Sequence, residues 1–332
     1  MMDIAKILSS YPEMTDLHVT EGSPVMIRMQ GNLKKLRDMG DGTFFDSLLD
    51  GMNEKQQNDW DEKGAFDSSL TIGEGRLRIH VYRAGGKRAA AVRFLPSLSS
   101  LPPDPDEGWI EKIAALDHGL VLVTGPSGSG KSTTLARIID TINGKRPCHI
   151  ITLEDPIEYE IPSKKALLHQ REIGLDTDSF ASGIRESLRE DPDVIALGEL
   201  RDGDTVTAAL TAAETGHLVL ATLHTTRAAD SIGRLIHACP KEKEEEARNL
   251  ITANLVAIAS QKLCRSGKET FLLREILTNI PAVSHLIKEG KDEQIPSYME
   301  MGLHDMRTMK QAIYSLRNIS EREREKLLKT LV

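Results

Sequence analysis

The sequence predicts an α/β protein with a parallel sheet, preceded by a smaller α+β domain. Three observations support this fold class. After residue 109, short apolar runs alternate with amphipathic helical stretches, which is typical of parallel strands buried on both faces. Before residue 97, the runs alternate apolar and polar residues, as half-buried strands do. A proline- and serine-rich stretch separates the two patterns and indicates a linker.

The first domain is predicted over residues 1–97 and the linker over residues 98–108. Strand patterns lie at 16–20, 25–29, 76–83 and 89–94, and residues 46–60 have a weak helical pattern. Four prolines stand within residues 96–105, and proline stops both helices and central strands. We therefore expect a small α+β domain that ends before residue 98.

The second domain is predicted over residues 109–332, with apolar strands at 120–123, 149–153, 194–197 and 218–223. Two stretches between these strands repeat apolar residues at helical spacing: Leu135, Ile138, Ile139 and Ile142, and then Val206, Ala209, Leu210 and Ala213. Strand–helix–strand alternation indicates a doubly wound sheet. From about Lys241 onward, the pattern predicts helix throughout, with a helical C-terminal part.

Composition narrows the class of protein. Lys+Arg number 42 and Asp+Glu 50, so the net charge is −8, which speaks against binding along nucleic acid as the main activity. The three cysteines are far apart and form no CxxC pair, so neither a disulfide framework nor a structural zinc site is supported. No signal-peptide core and no apolar run of about 18 residues is present, so we expect a cytoplasmic protein that does not cross a membrane.

A phosphate-binding motif follows the first apolar strand of the second domain. Residues 125–132 match GxxxxGK[ST] and open an amphipathic helix, whose N-terminus adds positive potential. We expect Lys131 to reach the β- and γ-phosphates of a nucleotide and the Ser132 hydroxyl to ligate Mg²⁺. The residues predicted to hold the nucleotide are Gly125, Pro126, Ser127, Gly128, Ser129, Gly130, Lys131, Ser132 and Thr133.

Acidic and histidine side chains follow three other strands. Glu199 comes just after the strand at residues 194–197, at the edge of the sheet where ligands bind. A carboxylate at this position could orient or deprotonate the attacking water, and it could bind Mg²⁺ through water. Gly198 stands where many P-loop enzymes have a magnesium-binding Asp. Glu154 and His224 end two further strands. His217 lies seven residues before His224, on the opposite face of an ideal strand, so we do not expect a shared metal.

Missing motifs argue against two classes of P-loop protein. No LSGGQ-type segment is present, which disfavours a transporter cassette, and no Asn-Lys-x-Asp is present, which disfavours a GTPase. A nucleic-acid motor stays open on motifs, although the acidic charge counts against it. A nucleotide-gated scaffold with negligible turnover is a further alternative.

Residues 170–226 contain a set of five motifs: QREIG at 170–174, SLREDPDV at 187–194, GELRD at 198–202, AAETGH at 212–217 and TLHT at 222–225. Together these motifs resemble those of the type II/IV secretion ATPase family. The similarity extends over roughly residues 16–313. DLH at 16–18, MIR at 26–28 and IPS at 295–297 resemble the branch of the family that retracts type IV pili.

The resemblance implies a PAS-like domain, then a RecA-like P-loop NTPase domain, assembled into a homohexameric ring that hydrolyses ATP with Mg²⁺ at subunit boundaries. It assigns Glu154 and Glu158 to an acidic box, Glu199 to the Walker B position, and His217 and His224 to a histidine box.

The resemblance further implies that arginines of the first domain complete the site of a neighbouring subunit, and the matching strands offer Arg78, Arg83 and Arg93. The implied partners are an inner-membrane pilus platform protein and a paralogous assembly ATPase, with no nucleic acid. The implied location is the cytoplasmic face of the inner membrane.

Two departures bear on the branch. Assembly-type relatives are usually longer and have a four-cysteine zinc motif. This chain has neither feature, which favours retraction. Retraction ATPases usually read AIRNLIRE where residues 282–289 read AVSHLIKE. Pilus assembly and type IV secretion or conjugation therefore remain alternatives.

Overall fold

The computed structural model describes residues 4–11, 13–29, 31–72, 75–266, 269–317 and 319–330. The chain forms two compact units. The first comprises Met1–Pro102 together with Glu158–Glu160, and the second comprises Pro103–Ile157 and Ile161–Val332.

The first unit contains a six-stranded antiparallel sheet in the order β3-β2-β1-β6-β5-β4. Along its strands, buried and exposed positions alternate, because only one face contributes to an apolar core. Its elements are α1 (Ile4–Ser10), β1 (Met14–Thr20), β2 (Pro24–Met29), β3 (Asn32–Met39), α2 (Gly42–Asp50), α3 (Glu54–Lys63), β4 (Ala65–Ile72), β5 (Gly75–Ala84) and β6 (Lys87–Leu95).

The four predicted strands of this unit are confirmed as β1, β2, β5 and β6. The weak helical pattern at 46–60 is two helices. Gly51 ends α2, and Asn53 begins α3 with a reciprocal capping box to Gln56.

The second unit contains a seven-stranded sheet in the order β13-β12-β7-β11-β10-β8-β9, parallel except for the β12–β13 pair. Strands β7, β10 and β11 are buried at every position, as expected of parallel strands covered on both faces. The strands are β7 (Gly119–Thr124), β8 (His149–Glu154), β9 (Leu167–Glu172), β10 (Val194–Leu197), β11 (Leu218–Leu223), β12 (Leu255–Ser266) and β13 (Glu269–Thr278).

The helices of this unit connect the strands and then form the C-terminal part. They are α4 (Glu107–Ala114), α5 (Lys131–Lys145), α6 (Phe180–Ser187), α7 (Gly203–Glu214), α8 (Ala228–Ala238), α9 (Glu244–Asn254), α10 (Pro281–Lys288), α11 (Ile295–Glu300), α12 (Met309–Tyr314) and α13 (Glu321–Lys329). Within the described residues, no helix is both long and apolar enough to span a membrane.

The prediction of helix throughout from Lys241 is wrong between Leu255 and Thr278, where β12 and β13 form an antiparallel hairpin. The apolar spacing of Leu250, Ile251, Leu255 and Ile258 runs across the end of α9. Strand β12 then pairs with β7 and is buried from Ala257 to Gln261. A continuous apolar run of this kind does not distinguish a buried strand from a helix.

Candidate nucleotide site

The GxxxxGK[ST] motif forms the loop between β7 and α5, at the carboxyl edge of the parallel strands. Gly128 and Gly130 have φ values of +75° and +85°, which favour glycine. At Gly125, a β-carbon would lie 2.3 Å from the backbone oxygen of Gln261 on β12, so the loop and this strand approach too closely for a side chain. The loop is followed directly by the N-terminus of α5, where backbone N–H groups and the helix dipole favour the binding of an anion.

Lys131 is the first residue of α5, and its side chain is buried against the loop. Its ammonium group donates to the carbonyl oxygens of Gly125 at 2.9 Å and Pro126 at 3.1 Å. It also lies 3.4 Å from Nδ1 of His224. The positive charge is therefore held inside the loop that is predicted to receive the phosphates.

His224 and Glu199 continue this chain of contacts. Nε2 of His224 lies 3.1 Å from one carboxylate oxygen of Glu199, and Nε of Arg201 lies 2.8 Å from the other. Because the Lys131 ammonium can only donate, Nδ1 of His224 is the acceptor, and the ring proton resides on Nε2. The imidazole thus links the P-loop lysine to the carboxylate that follows β10.

Glu154 ends β8, the strand next to β10. One oxygen of its carboxylate accepts hydrogen bonds from the Thr152 hydroxyl at 2.7 Å and the Gln170 amide at 3.0 Å. The N–H of Gly198 donates to the Leu153 carbonyl at 2.8 Å, which keeps the ends of the two strands together. Glu154 and Glu199 therefore lie at the same edge of the sheet as Lys131.

The side chains near the loop suit Mg²⁺ bound together with a nucleotide. Ser132 follows Lys131 on α5 and is half-buried, and Glu199 is a neighbouring carboxylate that is 20% exposed. A β-carbon at Gly198 would lie in ordinary van der Waals contact, 3.4 Å from the Leu153 carbonyl oxygen and 3.5 Å from the α-carbon of Glu154. Oxygen ligands, retained waters and substrate phosphates are what Mg²⁺ prefers, so the residues present fit this ion.

His217 lies at the opposite end of β11 from His224. Its Nδ1 is 2.9 Å from the carbonyl of Ala212, in the last turn of α7. Its own carbonyl accepts the N–H of Gly119 at the start of β7. The structure therefore brings His224, but not His217, to the P-loop edge, and the contacts of His217 are structural.

The turn after His224 is fixed from β13. The Glu275 carboxylate accepts the N–H of Ala228 at the start of α8, at 2.6 Å. Burial raises the pKa of Glu275, and its hydrogen bonds from backbone N–H groups oppose that rise only in part. This side chain therefore anchors the helix that follows the histidine.

The three predicted arginines lie on two faces of the first unit's sheet. Arg78 and Arg93 are direct cross-strand partners on β5 and β6, on the face that the core does not occupy. The Arg93 Nε donates to Asp16 at 2.9 Å, and no described residue accepts a hydrogen bond from Arg78. Arg83 has the opposite orientation, and its guanidinium lies 4.7 Å from the ring centre of Trp60.

Glu158 lies within residues 158–160, which group with the first unit, and its catalytic role stays a prediction. Sequence reasoning assigned no role to Arg201, which pairs with Glu199, or to Gln261, which contacts the P-loop. A role for Arg201 could have been predicted, since this residue stands two residues after Glu199 in the chain. No sequence signal points to Gln261, because it lies in the stretch whose pattern predicts a helix.

Comparisons with known proteins agree with the geometry. Residues 82–325 match the family described as type II/IV secretion system protein. The type IV pilus retraction ATPase PilT of Pseudomonas aeruginosa is 39% identical over 308 residues, covering 91% of this chain and 90% of PilT. A twitching motility protein of Neisseria gonorrhoeae is 41% identical, covering 88% of this chain and 80% of the relative.

Among solved structures, the pilus retraction motor PilT with bound ADP is similar to this chain with a TM-score of 0.84 and 40% identity. The similarity covers 98% of this chain and 97% of that one, so it includes both units.

Proposed function

The chain belongs to the type II/IV secretion system protein family, and on that premise we propose that it is a hexameric, Mg²⁺-dependent motor that powers type IV pilus retraction. It is an ATP hydrolase with an α/β P-loop domain of the RecA-like type, preceded by a smaller PAS-like domain. The observation that supports retraction most directly is the similarity to a retraction ATPase over 91% of the chain.

The site's own residues perform most of the steps. The P-loop N–H groups and the α5 N-terminus bind the phosphates, and Lys131 shifts from the loop carbonyls to the transferring phosphoryl group. Glu199 orients the attacking water and accepts its proton, while His224 and Arg201 fix the carboxylate's direction. Ser132, and Glu199 through water, would hold Mg²⁺, which would neutralise negative charge on the phosphates.

An arginine from the neighbouring subunit would complete each site. Arg78 and Arg93 are the favoured candidates, because they share the uncovered sheet face and Arg78 is not engaged by any described residue. Arg83 packs on Trp60, on the face that also holds the core, which suits a structural role. Charge supplied in trans would couple hydrolysis to the movement of subunits.

We further propose that the motor works at the cytoplasmic face of the inner membrane on a pilus platform protein, with an assembly ATPase as its antagonist. A deletion strain tests this role. Surplus pili that do not retract, with twitching restored by the wild-type gene but not by Lys131→Ala, are the expected result. A strain without pili would instead indicate an assembly motor.

The second candidate is an assembly or secretion motor of the same family, and α10 is the observation that favours it. This helix buries Val283, Leu286 and Ile287. The half-buried Ser284 and the exposed His285 stand where retraction relatives usually have an Arg-Asn pair. Loss of secretion or conjugation with normal pili in the deletion strain would select this candidate.

A further inference from the structure

A fully buried arginine lies behind the P-loop. Arg274 on β13 is 0% exposed, and its guanidinium donates to both oxygens of Asp104, at 2.8 and 3.1 Å. It also donates to Asp106 at 2.9 Å and to the Thr134 hydroxyl at 3.0 Å, and it lies 5.5 Å from the ring centre of Trp109. Such a buried charge is tolerated only where its hydrogen bonds are satisfied, as they are here.

Gln261 connects this cluster to the P-loop. It pairs directly across the hairpin with Arg274, and its side chain is buried. Its carbonyl oxygen accepts from the Thr134 hydroxyl at 3.0 Å, and its amide nitrogen donates to the backbone carbonyl of Ser129 at 2.8 Å. One side chain thus joins β12, the first turn of α5 and the P-loop.

The bond to Ser129 sets the direction of a P-loop N–H. A trans peptide is planar, and its C=O and N–H point in opposite directions. When Gln261 holds the Ser129 carbonyl, the N–H of Gly130 is therefore directed away from β12. This N–H belongs to the residue immediately before Lys131, at the N-terminus of α5, where phosphate oxygens are bound.

The other end of the cluster is the segment that follows the first unit. Asp104 and Asp106 lie two and four residues after Pro102, the last residue of that unit before residue 158. The Asp106 carboxylate does not cap its own helix and instead contacts Arg274 and Arg307. Burial raises the pKa of Asp104, but the hydrogen bonds and charge of Arg274, the N–H of Asp106 and the charge of Arg137 together outweigh it, so the pKa of this carboxyl lies below its usual value.

We infer that Gln261, Arg274 and Asp104 form a relay that positions the P-loop and couples its occupation by nucleotide to residues 103–106. The three are positioning residues, since each acts through the Ser129–Gly130 peptide. The inference rests on the assignment of the P-loop as a nucleotide site. It does not rest on pilus retraction, and its test uses ADP binding, which needs neither hydrolysis nor pili.

Gln261→Glu is the sharpest variant, because it keeps the acceptor for Arg274 and Thr134 but places an oxygen against the Ser129 carbonyl. We expect ADP affinity and the KM for ATP to worsen about tenfold, with kcat changed by less than about threefold. Asp104→Asn changes only the far end of the relay, and it should weaken ADP binding in the same direction. Arg248→Lys is the matched control, since the Arg248 guanidinium donates to the carbonyl of Ile287 and pairs with Asp292, away from the relay.

Amide exchange of the full-length protein tests the coupling. ADP should slow exchange at Asp106, whose N–H is bonded to Asp104, in the wild type and in Arg248→Lys but not in Gln261→Glu. Thermal unfolding without nucleotide checks that each variant is folded at the assay temperature. Unchanged ADP affinity in both relay variants, or equal ADP protection of Asp106 in Gln261→Glu, would overturn the inference.

Discussion

At the residue scale, the two nitrogens of His224 have different hydrogen-bond roles, and both are set by neighbours. Lys131 requires Nδ1 to accept, so Nε2 must donate to Glu199. When a γ-phosphate draws Lys131 away, the contact at Nδ1 is lost while the Glu199 carboxylate remains bound at Nε2. The histidine is thus placed to respond to the phosphate and to act on the residue that we assign as the base.

Glu199→Gln tests the assignment of the base. The amide keeps the shape of the side chain but cannot accept a proton, so we expect ATP affinity within about threefold of wild type and a kcat lower by about 10²–10⁴-fold. Steady-state phosphate release and nucleotide titration measure the two effects. Turnover at the wild-type rate would exclude Glu199 as the base.

Much of the position of these residues could be predicted, because carboxyl ends of parallel strands meet at one edge of a sheet. His224 indeed lies within hydrogen-bond distance of both Lys131 and Glu199. Arg201, by contrast, reaches Glu199 through the path of the loop after β10. No periodicity predicts the path of a loop.

At the element scale, the hairpin of β12 and β13 decides how tightly the P-loop is held. Strand β12 pairs with β7 on one side and β13 on the other, so it supplies a rigid backbone directly beneath the loop. The sequence did not predict this hairpin, since its apolar residues continue the helical spacing of α9. Residues 255–266 form a strand because β12 pairs with β7, which is distant in the chain, and the local apolar pattern does not indicate this pairing.

Two glycine substitutions compare that contact with an ordinary helix. Gly125→Ala would place a β-carbon 2.3 Å from the Gln261 carbonyl, so we expect destabilisation of about 1–3 kcal/mol and weaker ADP binding. Gly233 lies inside α8, and a β-carbon added there would meet no atom within 4 Å outside the backbone of its own helix. Gly233→Ala should therefore raise the free energy of unfolding by about 0.5–1 kcal/mol. Urea unfolding measures both. Equal stability of Gly125→Ala and wild type would contradict the close approach.

At the scale of the whole molecule, each chain has a P-loop in one unit and the candidate trans arginines in the other. Arg78 and Arg93 are on β5 and β6, whose alternation of burial could be predicted from the sequence. Their shared face follows from the register of these strands, which pairs the two arginines directly. That register depends on the turn at Gly85–Gly86, and the sequence pattern indicated only that a turn occurs there.

Mixed rings test whether sites are shared between subunits. Arg78→Ala should lower kcat by about 10³-fold or more, and Lys131→Ala should abolish nucleotide binding at its own P-loop. Random mixing of the two would rebuild about a quarter of the interfaces, so activity should return. Arg83→Ala is the comparison, and its effect should appear as lower stability of the first unit. No recovery in rings shown to contain both variants would count against the shared site.

The contacts of Asp104 and Asp106 also determine where the ATPase domain can be separated from the rest of the chain. A fragment starting at Trp109 would retain Arg274 in the interior but lose both of the carboxylates that neutralise it. A buried guanidinium without counter-charge is among the costlier defects a fold can contain. A fragment starting at Pro103 retains the whole ion cluster. For folding, these few residues therefore belong to the catalytic domain, even though their proline-rich sequence resembles a spacer.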